Sequence, residues 1–126
     1  YYFSNGITTD HMMGISTTAP PGYVYEEIAF KLFDGPGPGL QPLYQVYNPE
    51  SIDHMQTLDP NEGAPAYGEL ETLGFCSTNK TEIAPHKISR VYDPTYINHF
   101  VTASEDELAI VAVLGYQIED LICWAP

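Results

Sequence analysis

Val46-Tyr47-Asn48-Pro49-Glu50-Ser51-Ile52-Asp53-His54-Met55 occurs three times in this chain in recognisable form. Its counterparts are Phe3-Ser4-Asn5-Gly6-Ile7-Thr8-Thr9-Asp10-His11-Met12 and Val91-Tyr92-Asp93-Pro94-Thr95-Tyr96-Ile97-Asn98-His99-Phe100. The Asp/Asn-His step recurs at offsets of 43 and 45 residues, and so does the Asn or Asp that opens each turn. Two markers keeping the same two offsets identify internal repetition, which sets the architecture before any local reading does.

Outward from that segment the local chemistry is that of a hairpin. Leu43-Tyr44-Gln45-Val46-Tyr47 and Ile88-Ser89-Arg90-Val91-Tyr92 alternate in polarity and are rich in β-branched and aromatic residues, so they read as strands. Asn48-Pro49 and Asp93-Pro94 punctuate a turn, in which the side chain bonds nearby backbone and proline presets φ. The His-bearing segment returns as the second strand. A Gly-aromatic pair then follows in each copy, read as Gly22-Tyr23, Gly74-Phe75 and Gly115-Tyr116, at intervals of 11, 20 and 16 residues from the His. Copy three carries a helix between the markers: Ser104 and Glu107 have capping-box spacing, the first turn is acidic, and Gly115 suits the residue after the C-cap. A weaker helix is expected in the copy-two slot ending Glu69-Leu70-Glu71-Thr72-Leu73-Gly74, with Cys76 onward as a degenerate closing segment. The run Gly35-Pro36-Gly37-Pro38-Gly39 is a stiff linker.

These readings predict one mainly β domain over residues 1–126, made of three pseudo-symmetric repeats (1–34, 43–83 and 88–126) around a shared core. A β-trefoil-like arrangement ranks first, and a small propeller-like ring of hairpins with short helices is the alternative.

The string from Pro42 to Thr57 resembles a repeat of secreted bacterial and fungal proteins with the pattern P-L-Y-R-L-Y-N-P-x-T-G-D-H-F-Y-T-T, a helix, then G-Y-x-Y-E-G-I-A-F. Gly22 to Phe30 resembles the closing part, with Glu27 at the glycine, and Asn98 replaces the Asp in copy three. That family is catalogued as a domain of unknown function, often appended to secreted hydrolases, so the resemblance implies a secreted, threefold, lectin-like module.

Charge and cysteine content narrow the partners. The 126 residues carry four Lys+Arg against 17 Asp+Glu, a net charge of −13. Such a surface repels phosphate backbones and anionic lipid, which argues against nucleic-acid binding. No apolar run approaches the roughly 20 residues that cross a bilayer, so no membrane insertion is expected. The opening at Tyr1-Tyr2-Phe3 and the sequon Asn79-Lys80-Thr81 suggest a secreted chain. Cys76 and Cys123 have no metal spacing and suit either one disulfide or two buried thiols.

The candidate ligand-binding residues are Asp10, His11, Asp53, His54, Asn98 and His99, with Tyr47 and Tyr92 as stacking rings. A hexose offers a C–H face to a ring and hydroxyls to Asp, Asn or His. The competing reading makes the His residues structural and has the Asp/Asn residues close the hairpin turn by bonding backbone amides. Three equivalent His residues could also meet on an axis around a metal, the weakest option. Glu26-Glu27 and Glu119-Asp120 are adjacent on a strand and point to opposite faces, so neither pair clasps one glycosidic bond. No G-x-S-x-G elbow or phosphate-cradling loop is present. The expectation is a carbohydrate-binding, non-enzymatic protein without cofactor or metal, with up to three weak sites for glycans or glycoproteins and a possible homo-oligomer. An inhibitor or accessory subunit of a secreted enzyme is the alternative.

Overall fold

The computed structural model of the chain describes residues 1–5 and 10–126, apart from the side chains of Asp120 and Leu121. The copy-one turn at residues 6–9 and the side chain of Asp120 therefore lie outside the described residues. Nine strands and one helix are described: β1 (Tyr2–Asn5), β2 (His11–Met13), β3 (Tyr23–Glu27), β4 (Leu40–Asn48), β5 (Asp53–Thr57), β6 (Gly68–Ser77), β7 (His86–Asp93), β8 (Asn98–Thr102), α1 (Glu105–Val113) and β9 (Gln117–Ala125).

The strands form a three-stranded sheet, β2-β1-β3, and a six-stranded sheet, β5-β4-β6-β9-β7-β8. In each copy the opening strand lies in the middle, flanked by its hairpin partner and by the closing strand. The hairpin register repeats as well: Ser4 faces His11, Tyr47 faces His54 and Tyr92 faces His99. The predicted turns form through their side chains. Asn48 Oδ1 accepts from the Glu50 N–H at 3.0 Å, and Asp93 Oδ1 from the Thr95 N–H at 3.0 Å.

Both hairpin turns end on an isoleucine in the left-handed region, Ile52 at φ 54° and Ile97 at φ 50°. A β-branched side chain crowds the carbonyl there, at a cost of about 1–2 kcal/mol. Because both side chains are exposed, Ile52→Gly and Ile97→Gly are each expected to raise the denaturation midpoint, by up to about 1 kcal/mol after glycine's extra unfolded-state entropy is subtracted. Urea melts check this, and a loss of stability in both variants would contradict it.

The helix predicted in copy three is present as α1. Ser104 Oγ accepts from the Glu107 N–H at 3.1 Å, and Gly115, at φ 89°, follows the C-cap Leu114. The helix expected in copy two is not there. Residues 69–74 belong to β6, where Gln45 faces Glu71 and Tyr44 faces Thr72. Glu and Leu are good helix formers, but intrinsic propensity is a small contribution per residue, and pairing along the free edge of β4 from Leu40 to Tyr47 overrides it.

Copies two and three meet at one backbone pair, Ser77 with Trp124, beside a disulfide between Cys76 and Cys123. Copy one reaches copy two through a bridge between Phe33 and Phe75. The core lies between the copies: Tyr2, Met13, Leu43, Ile88, Phe100 and Val111 belong to one continuous buried cluster. No helix among the described residues is long and apolar enough to cross a membrane.

Candidate functional site

The three His-bearing strands β2, β5 and β8 converge, β5 packing on β8 and β2 touching both. Their Asp/Asn-His steps connect each copy to the next. Asp10 of copy one accepts from the His54 backbone N–H at 2.8 Å through Oδ1 and meets His54 Nδ1 at 2.6 Å through Oδ2. Asp53 of copy two repeats both bonds with His99 of copy three, at 2.8 and 2.5 Å. Asn98 of copy three lies 3.0 Å, through Nδ2, from His11 Nδ1 of copy one. One rule, each step gripping the histidine of the following copy, therefore links all three.

The carboxylates also receive a phenol. The Tyr23 hydroxyl donates to Asp10 and the Tyr67 hydroxyl donates to Asp53, each at 2.5 Å. Burial, and then the bond to the carboxylate, hold both phenols well above their ordinary pKa. With Asp10 1% and Asp53 0% exposed, their oxygens face protein donors; the backbone N–H from which each accepts lies in the next copy, whereas the sequence reading has them close their own hairpin turn. Tyr47 stacks on His54 at 4.4 Å between ring centroids, and Tyr92 lies over His99 at 4.5 Å, so one face of each predicted sugar-stacking ring covers a histidine.

Tyr67 also corrects the reading of copy two. It stands 14 residues beyond Asp53, much as Tyr23 stands 13 beyond Asp10, so Ala66-Tyr67 is the copy-two counterpart of Gly22-Tyr23. Gly74-Phe75 falls at the position of Ala29-Phe30, and the closing segment of copy two is intact as β6.

A second set of links comes from the residue three before each turn-opening Asn or Asp. The side chain of Gln45 pairs with the backbone of Met13, accepting from its N–H at 2.8 Å and donating to its carbonyl at 3.0 Å. Arg90 Nη1 donates to the Gln56 carbonyl at 3.0 Å, and the Tyr2 hydroxyl accepts from the Val101 N–H at 3.1 Å. Arg90 additionally grips Glu62 through two bonds of 2.8 and 2.7 Å and donates to Glu119 at 2.9 Å. The sequence reading missed Arg90, although as the chain's one arginine, aligned with Tyr2 and Gln45, it carried a usable signal.

His99 sits between Asp53 and Glu119, the latter 3.4 Å from Nε2. Burial alone would lower its pKa, but the hydrogen bonds to Asp53 and Glu119 outweigh it and raise the ring to about 9 from 6.5. Because the folded value exceeds the unfolded one, this stabilisation is full below about pH 6.5 and disappears as pH rises through about 9. Urea stability is expected to decline across that window and to lose most of the slope in His99→Gln; an unchanged slope would contradict the assignment.

The junction of copies three and one departs from the other two. Asn98 Oδ1 is buried without a hydrogen-bond partner among the described residues. An open cleft of about 490 Å³ lies here, floored by Tyr2 and Phe100, walled by Tyr116, and bordered by Glu26, Glu27 and Glu107. Simple strand alternation would set Glu26 and Glu27 on opposite faces, but the register shift opposite Tyr2 and Phe3 brings both to one cleft. His11 lines it too, its ring 5.9 Å from Phe100. Burial first, then Glu107, with Glu26 and Glu27 adding to it, pushes the Tyr2 hydroxyl far above its usual pKa, so all three carboxylates act on one spot. A second cleft of about 400 Å³, between Met13, Phe30, Phe33 and Leu73, carries one carboxylate, Asp34, and is otherwise mostly apolar. Among the described residues no group of three or more His, Cys, Asp or Glu is arranged to hold a metal ion.

Antiparallel strand triplets, joined by side-chain bonds that run from Asp10 to His54, from Asp53 to His99 and from Asn98 to His11, define a small mainly β protein with one aromatic and acidic cleft. The model of one family, described as a domain of unknown function (DUF5648), matches residues 4–126, and the chain belongs to that family. Neither the curated proteins nor the solved structures include a match.

Proposed function

We propose that this is a secreted carbohydrate-binding protein, a closed pseudo-threefold ring of hairpin units whose principal sugar site is the cleft between copies three and one. The cyclic order of the Asp10–His54, Asp53–His99 and Asn98–His11 links supports the ring. A trefoil gathers its strands into one barrel, whereas these stand as separate three- and six-stranded sheets, which favours the propeller-like alternative. The Cys76–Cys123 disulfide and the exposed Asn79 sequon support an oxidising, extracellular setting.

The cleft carries the functional reading. Tyr116 and Phe100 offer rings to a sugar's C–H face, and Glu26, Glu27 and Glu107 accept from hydroxyls. The Asp/Asn-His steps then act from behind, holding His11 and its neighbours in place. This makes one principal site of the three foreseen from the repeats. Calorimetric titration with a panel of oligosaccharides is expected to give binding that Tyr116→Ala weakens at least tenfold. No binding across the panel, or binding indifferent to Tyr116→Ala, would overturn the assignment.

The second reading, a docking module for a secreted enzyme, draws on the exposed Ile110, Val113, Leu114 and Ile118 beside the same cleft. A partner captured through that surface, and lost in Val113→Asp, would favour it.

A further inference from the structure

The junction of copies two and three shows what the acidic positions of this fold bind. There the guanidinium of Arg90 is clamped by Glu62 and Glu119. Glu62 stands nine residues beyond Asp53, and Glu107 stands nine beyond Asn98. Glu119 directly follows Ile118, which faces Val91, and Glu26 directly follows Tyr25, which faces Phe3. Glu107 and Glu26 thus hold, at the junction of copies three and one, the positions that Glu62 and Glu119 hold around Arg90. The basic residue is what differs: where copy three has Arg90, copy one has Tyr2. The Glu107 and Glu26 carboxylates border the same cleft as Tyr2, and among the described residues no Lys or Arg is ion-paired with them. Copy one offers no matching clamp to copy two, since the residue nine beyond Asp10 is Ala19.

We infer that the cleft between copies three and one takes an exogenous organic cation against the carboxylates that border it beside Tyr2, the counterparts of those that clamp Arg90 one junction away, and that this cation is the protonated amine of an amino sugar. The inference rests on the carbohydrate reading above and specifies its ligand class. Carboxylates that a shared scaffold sets around a guanidinium suit a second cation of similar reach, and the partly water-excluded floor strengthens the charge-assisted bonds. The rings of Phe100 and Tyr116 add the attraction of aromatic faces for a cation or for sugar C–H groups. At a net charge of −13 the whole surface also favours approach of a cationic ligand.

The test is calorimetric titration of the intact, disulfide-bonded protein with three tetrasaccharides, glucosamine, N-acetylglucosamine and glucose, at a pH where the free amines are protonated. The glucosamine tetramer is expected to bind at least tenfold more tightly than either neutral one. Glu26→Gln with Glu107→Gln should remove that preference, lowering glucosamine affinity at least tenfold more than it lowers either neutral affinity, with the melting temperature near that of the parent. The Glu107→Gln change keeps the helix start intact, because the Ser104 cap uses the backbone N–H at that position. Equal affinity for all three sugars would overturn the cation inference and leave the carbohydrate reading standing. Glucosamine binding unchanged in the double variant would reduce it to general attraction to an acidic surface. No binding to any sugar, with binding of an arginine-containing peptide, would overturn both and assign the cleft to a protein partner.

Discussion

Asp53→Ala is expected to destabilise the protein by about 3–5 kcal/mol, the largest effect of any single substitution considered. The side chain is fully buried and accepts from three groups on two copies: the His99 backbone N–H, His99 Nδ1 and the Tyr67 hydroxyl. Alanine leaves all three without a partner in a place water does not reach, and each orphaned group costs about 1–3 kcal/mol before relaxation. Asp53→Asn should cost less but still be harmful, since the amide replaces one accepting oxygen by an NH2 that would face the donors His99 Nδ1 and Tyr67 OH. Asp10→Ala, with its matching bonds to His54 and Tyr23, should rank beside Asp53→Ala. Asn98→Ala should rank well below both, because among the described residues Asn98 has a single side-chain bond, to His11, and an oxygen without a partner. Urea denaturation of the three variants gives the ranking. An Asp53→Ala cost below about 1 kcal/mol would show that the step contributes little.

Removing the disulfide should have the second large effect. Cys76 and Cys123 close a loop of 47 residues between β6 and β9, which otherwise share one backbone pair. In the chain-entropy treatment a loop of that length contributes about 4 kcal/mol by restricting the unfolded chain. For a domain of this size that corresponds to a fall in Tm of roughly 10–20 °C. Both sulfurs are fully buried, so the paired substitution Cys76→Ala with Cys123→Ala separates loss of the crosslink from the cost of burying free thiols. Thermal scans of the oxidised, reduced and double-alanine forms measure it. Three coincident transitions would mean that the copies hold together without the crosslink.

The parts legible in the sequence were those decided by neighbours along the chain. The Asn48 and Asp93 turns, the alternation of Leu43–Tyr47 and the Ser104 cap each depend on residues a few positions apart. The copy-two closing strand was misplaced because Gly74-Phe75 imitates the Gly-aromatic marker, whereas Tyr67 follows Ala66. The marker's function is to place a phenol on Asp53, and that role shows only when the donor and acceptor are seen together. The partners of the Asp/Asn-His steps were out of reach for the same reason. Repetition showed that Asp10, Asp53 and Asn98 share an environment, but not that the environment is the histidine of the next copy, 44 to 87 residues away. The cleft is less legible still, being assembled from β1 and β3 of copy one and β8 and α1 of copy three.

Nitrogen-detected NMR of the three histidine rings tests this arrangement most directly. Slowly exchanging Nδ1–H signals are predicted for His54 and His99, the first lost in Asp10→Ala and the second in Asp53→Ala, while His11 shows an unprotonated Nδ1 facing Asn98. Three rings with the same tautomer, each indifferent to the Asp of the preceding copy, would contradict it.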